Sequence, residues 1–149
     1  LPHAPAAWEN KKVLISLSNK EGQQDQVLTI GKTLKDMGFI LFATEGPADF
    51  YNANGIKCEV VNKIGGGRPD VVDLIMNKEV CLVINTPKAK RNYAEDRKTI
   101  RKACLKYKVS YITTLAGALA AVKGIESVKN GNGGEGGVKS LQEYHSLIK

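Results

Sequence analysis

The sequence predicts an α/β three-layer sandwich, with one five-stranded, mainly parallel sheet and helices on both of its faces. Three observations carry that expectation. Five short β-rich runs alternate with stretches of helical periodicity, and the connections between them are short. One run, VCLVI at Val80–Ile84, is apolar throughout, as a strand covered on both faces must be.

Taken in order, KKVLISL (Lys11–Leu17) is the first strand and ends in the polar turn SNKEG. From about Gln23, Val27, Ile30, Leu34 and Met37 recur at helical spacing, and Gly38 supplies the stop. FILFAT (Phe39–Thr44) is the second strand. The EGP that follows opens a short helix with Pro47 near its first position, where a missing N–H costs nothing. NANG closes that helix before the third strand, KCEVV (Lys57–Val61). Pro69–Asn77 is the next helix, beginning on a proline, and Val80–Ile84 is the fourth strand. Tyr93–Lys108 places Ile100, Cys104 and Tyr107 on one helical face. VSYITT (Val109–Thr114) and the Ala-rich helix Leu115–Val128 complete the pattern. Residues 130–137, NGNGGEGG, read as a flexible linker, and 138–149 as a closing, partly helical segment.

The 149 residues suffice for one domain, spanning 11–129, that buries roughly 68–70% of its unfolded surface. Residues 1–10 are expected to be a linker from a preceding domain, because the chain starts at Leu and carries no basic-then-apolar leader. No apolar run approaches the roughly 20 residues that span a bilayer. Cys58, Cys81 and Cys104 stand singly in apolar surroundings, which points to buried thiols in a reducing, cytoplasmic compartment rather than to disulfides. The two histidines, His3 and His145, lie in the tails, and no ligand spacing for zinc exists, so no metal is expected.

Net charge is +7, which favours anionic partners. Nine of the 21 residues from Lys88 to Lys108 are Lys or Arg, against only Glu95 and Asp96. Without interleaved aromatics or a nucleic-acid reading motif, that run reads as solvated helix surface, and no nucleic-acid or membrane partner is expected.

In an open parallel sheet, ligands bind beyond the carboxyl ends of the strands. The loops there offer hydroxyls (Ser16, Ser18, Thr44, Thr86, Thr113, Thr114), the amide of Asn85, and the cations Lys20, Lys63, Arg68 and Lys88. Helix N-termini beside them add free N–H groups, and together these make an anion seat. Gly65–Gly67 either let backbone approach a ligand or only form a turn. No GxxxxGK[ST] motif is present and no GxGxxG stands between a strand-like run and a helix, so phosphate-loop or dinucleotide binding is unsupported. Nucleophile–base pairs have few candidates, and Asp70 and Asp73 read as first-turn helix carboxylates. The pocket reads as one for binding without chemistry, with no catalytic residue in this chain.

At VVNKIGGGRPDVVDLI, LVINTP, IRKACLKYKVSYITTLAGALAAV and VKSLQEYHSLIK, the sequence resembles the C-terminal regulatory domain of the carbamoyl-phosphate synthase large subunit, over nearly the whole chain from about Lys11 to Lys149. The resemblance implies a methylglyoxal synthase-like, Rossmann-like fold. It also implies a parent enzyme that uses ATP with Mg2+ and glutamine-derived ammonia, serving pyrimidine and arginine synthesis. The implied partners are the preceding synthetase domains of the same chain, a glutaminase small subunit and further copies of the parent enzyme. The implied effectors are UMP or IMP, with ornithine. Thr44 and Lys63 match phosphate-contacting positions and Asn85 a ribose-contacting one; the strand-end chemistry adds Ser16 and Lys20 to the phosphate set and Thr86 to the sugar set. Tyr111 and Thr113 match positions on the ornithine side. Gln24, Pro47 and Pro87 depart from the pattern, standing where nucleotide-regulated members have a phosphate-binding Lys, a Thr and a second sugar contact. Methylglyoxal synthase, a lyase acting on dihydroxyacetone phosphate, is similar at the glycine loop. Its catalytic carboxylate follows two glycines directly, whereas GGGRPD here places Arg68 in that position, and a guanidinium is no base. A basic interaction module is the third reading.

Overall fold

The computed structural model describes residues 12–17, 22–86 and 94–129. The proposed linkers, the closing segment, Lys20, Pro87 and Lys88 lie outside the described residues. Five strands, β1 (Lys12–Ser16), β2 (Ile40–Ala43), β3 (Cys58–Val60), β4 (Leu82–Asn85) and β5 (Ser110–Ile112), form one sheet in the order β3-β2-β1-β4-β5. Every pairing is parallel. The chain winds outward from β1 to β3, then returns across β1 to build β4 and β5. That reversal leaves a crevice between β1 and β4, where the register sets Ser16 beside Asn85.

Period-two alternation sorts the strand residues onto two faces. Val13, Ile15, Leu41, Ala43, Leu82 and Ile84 pack against α1 (Gln24–Asp36), α2 (Glu45–Ala53) and α5 (Leu115–Lys129). Leu14, Val83 and Tyr111 face the other way, onto α3 (Val71–Met76) and α4 (Ala94–Tyr107). The expected three layers are present, and β4 is buried along its whole length.

Helix α1 ends where the sequence places its stop. Gly38 takes φ +91° and donates to Lys35 O at 2.9 Å, while Phe39 donates to Leu34 O at 3.0 Å. These two bonds satisfy last-turn carbonyls, and the left-handed conformation favours glycine. The start of α3 differs from expectation. Pro69 lies outside the helix, because Asp70 is its N-cap: the Asp70 carboxylate accepts from Val72 N and Asp73 N, both at 3.0 Å. Asp73 returns the contact by accepting from Asp70 N at 2.9 Å, closing a reciprocal capping box. The strands are one to three residues shorter than the runs that predict them, as β5 shows by spanning only Ser110–Ile112 of Val109–Thr114.

Candidate functional site

A cleft of about 390 Å³ opens at the carboxyl ends of the strands, at the reversal point. Four of the five strand ends contribute in turn. Ser16 ends β1, Thr44 follows β2, Lys63 follows β3, and Asn85 and Thr86 close β4. The structure thus brings together five of the residues expected to bind an anion and its sugar. Asn85 and Thr86 are buried, Ser16 and Thr44 half-buried, and Lys63 reaches solvent.

The hydroxyl of Thr44 is the informative one. Thr44 is the N-cap of α2, and a threonine there ordinarily accepts from the second or third helical N–H. Here the third helical residue is Pro47, which has no N–H, and Thr44 makes no side-chain capping bond. Its Oγ1 is left buried without a partner at the cleft wall. Pro47, a departure from the expected motif, removes the third helical N–H as a partner for this hydroxyl.

Behind Thr44 and Lys63, the glycine loop folds so that Gly66 lines the cleft while Gly65 (φ +84°) and Gly67 (φ +112°) take left-handed backbone. A Cβ on Gly66 would stand 3.2 Å from Lys63 O, so that residue is held small by the loop itself.

Arg68, Thr113 and Tyr111 stand outside the cleft lining. Arg68 is no free cation of the cleft: its Nη2 and Nε donate to Asp73 Oδ1 and Oδ2 at 2.6 and 3.2 Å. That fork, with the Asp70 N–H, holds the Asp73 carboxyl below the usual carboxylate range. Thr113 is exposed and does not line the cleft, since β5 has already ended. Tyr111 is buried and stands behind the wall, where its Oη accepts from Asn85 Nδ2 at 3.2 Å. Of the other strand-end hydroxyls, Thr114 accepts from Gly117 N at 2.9 Å and serves α5.

One cleft residue escaped the sequence reading. Arg97, in the first turns of α4, lines the cleft beside Asp96, and its Nε is buried without a partner. Ile100, Cys104 and Tyr107 mark the inward face of α4, and three residues before Ile100 that face continues to Arg97. That spacing was the available signal, obscured by the other cations around it. Among the described residues, no three His, Cys, Asp or Glu side chains group as metal ligands, and no helix is long and apolar enough to cross a membrane.

The sequence profile of the MGS-like domain matches residues 26–113. The carbamoyl phosphate synthase large chain of Archaeoglobus fulgidus is 45% identical over 133 residues, which are 89% of this chain and 12% of that protein. The C-terminal section of the large chain from Methanopyrus kandleri is 43% identical over 116 residues, 78% of this chain and 21% of that protein. This chain therefore spans only a fraction of the relatives it matches. The crystal structure of methylglyoxal synthase from Elizabethkingia anophelis superposes with a TM-score of 0.57 at 14% identity, covering 76% of this chain and 78% of that one, and so shares the fold. With 88 of its residues in the profile, the parallel sheet in place and the strand-end cleft formed, the chain belongs to the MGS-like domain family.

Proposed function

We propose that this chain is the effector-sensing part of a carbamoyl phosphate synthase large chain, and that its cleft binds a nucleoside monophosphate, UMP or IMP. The phosphate sits at the Thr44–Lys63 end, with Ser16 nearby, and the sugar meets Asn85 and Thr86. The supporting observation is that Thr44 Oγ1 and Arg97 Nε, both buried and both without partners, line this same cleft. A buried polar group left unpaired costs about 1–3 kcal/mol, so two at one cavity are explained by a polar guest that satisfies them.

In this reading the reaction belongs to the rest of the parent enzyme, which uses ATP with Mg2+ in the cytoplasm and takes ammonia from a glutaminase subunit. The effector acts by binding one state of that enzyme better than the other. Tyr111 and Thr113 serve the ornithine side together with the neighbouring synthetase domain. Against a lyase, the acids nearest the glycine loop are engaged structurally: Asp70 caps α3, and Asp73 is held by Arg68.

Calorimetric titration of the chain with UMP and IMP tests the binding, and Lys63→Ala should weaken it about tenfold. In the full enzyme, the same substitution should remove the nucleotide response and leave unregulated turnover nearly intact. Equal loss of both, or formation of methylglyoxal from dihydroxyacetone phosphate by this chain, would refute the proposal.

A further inference from the structure

We propose that Arg97 reads the base of the bound nucleotide, so that the cleft selects nucleobases with a ring carbonyl over those with an amino group in its place. This rests on the nucleotide reading above. The order of strands supplies the first argument. Along the carboxyl edge, Lys63 follows β3, Thr44 follows β2, Ser16 ends β1 and Asn85 ends β4. Neighbouring strands are about 4.8 Å apart, so two steps separate Thr44 from Asn85 by about 10 Å, near the reach of a phosphate and its sugar. A ligand with its phosphate at Thr44–Lys63 and its sugar at Asn85 carries its third part onward to α4, where Arg97 and Ile100 line the cleft.

The layers supply the second. α2, which Thr44 opens, packs on one face of the sheet, and α4 packs on the other. Thr44 and Arg97 therefore stand on opposite walls, and one small phosphate ion is a poor match for both vacant donors and acceptors.

Chemistry supplies the third. A guanidinium only donates hydrogen bonds. Arg97 makes no ion pair with any described carboxylate, Asp96 included, and its Nε is buried without a partner. A carbonyl oxygen on the ring satisfies that N–H. An exocyclic amino group sets donor against donor and leaves the buried Nε unpaired. Ile100, buried and one turn along α4, offers the ring an apolar surface.

The test is a titration of the 149-residue chain with UMP, CMP and ribose 5-phosphate, before and after Arg97→Met, which keeps the stem and removes the donors. UMP should bind about 10–100-fold tighter than CMP to the unaltered chain. Arg97→Met should bring UMP down to the level of CMP and leave ribose 5-phosphate within about twofold. Arg97→Lys, still a pure donor, should keep a preference for UMP and guards against a folding artefact in the methionine variant. Equal affinity for UMP and CMP in the unaltered chain would overturn the base-reading role. So would an equal loss of ribose 5-phosphate and UMP in Arg97→Met, which would make Arg97 a phosphate contact. Failure of all three compounds to bind the unaltered chain would instead remove the nucleotide reading, and this inference with it.

Discussion

Asn85 and Tyr111 are joined across adjacent strands by a buried hydrogen bond, 3.2 Å from the amide Nδ2 to the phenol Oη. Tyr111 pairs in register with Val83, two residues before Asn85, so the bond runs diagonally on the face that carries α3 and α4. It fixes how the amide presents its oxygen to the cleft, because a planar amide whose nitrogen is anchored has its carbonyl direction set. It also links the residue expected to touch the effector's sugar with one assigned to the ornithine side. Tyr111→Phe should therefore weaken UMP binding about three- to tenfold while costing about 1 kcal/mol of stability. Titration with UMP and a denaturant melt check the two effects separately; unchanged affinity would show that Asn85 needs no anchor.

Pro47 makes a second prediction, opposite in sign for stability alone. Restoring an N–H at the third helical position, by Pro47→Ala, gives Thr44 Oγ1 the intrahelical donor it now lacks. A new cap of about 1 kcal/mol would then compete with the ligand for the same oxygen, so UMP affinity should fall about fivefold. Thr44→Val, which removes the oxygen outright, should lower affinity at least as far. An affinity that rises in Pro47→Ala would mean that the hydroxyl serves the helix and not a guest.

The third prediction concerns the glycine loop's far side. Asp70→Ala removes the acceptor for two N–H groups of α3 and should cost about 0.5–2 kcal/mol, read as a lower urea midpoint. Asp73 adds a pH dependence of known sign. Its carboxyl is depressed below its ordinary 3.8, chiefly by the Arg68 fork and then by the Asp70 N–H. A group depressed by folding contributes stability above its unfolded value and loses that contribution as pH falls through its folded value. Unfolding should become easier below about pH 4, and Asp73→Asn should flatten that part of the profile. Arg68→Ala should flatten it as well; a slope unchanged in both variants would dissociate the fork from acid stability.

Much of this could be read from residue patterns, and what could not has identifiable causes. Alternation of runs revealed the layers because each strand's burial is set by two-residue periodicity and each helix's by its own repeat. The stop at Gly38 was legible because few residues other than glycine take that backbone cheaply. The start of α3 was not, since Pro69 and Asp70 are both start signals and only the carboxylate's reach to Val72 and Asp73 decides between them. Ser16, Thr44, Lys63, Asn85 and Thr86 were locatable from strand ends alone, and the parallel sheet gathers them. Arg68 misled because its partner stands five residues later, across a helix start. Arg97 was passed over because one cation among nine in a basic run looks like solvated surface until α4 is placed.

The cysteines carry the last prediction. Burial pushes the Cys58 and Cys104 thiols up to about 12 and Cys81 to about 11, the last restrained by backbone hydrogen bonds. The nucleophile is the thiolate. At pH 8 a thiol titrating near 11 is only about one part in a thousand ionised, against roughly a quarter for a free cysteine. All three thiols should therefore resist a disulfide reagent at pH 8 and react at once in urea, as measured by released thiolate absorbance. The sign for stability follows: folding raises these values, so the native state holds protons that the unfolded chain gives up, and stability declines as pH climbs from about 9 toward 12. Replacing Cys104, which is fully enclosed, by Ala should lessen that decline at the cost of a small cavity. Rapid labelling of any of the three at pH 8 without denaturant would show that the sheet opens around it far more often than its packing implies.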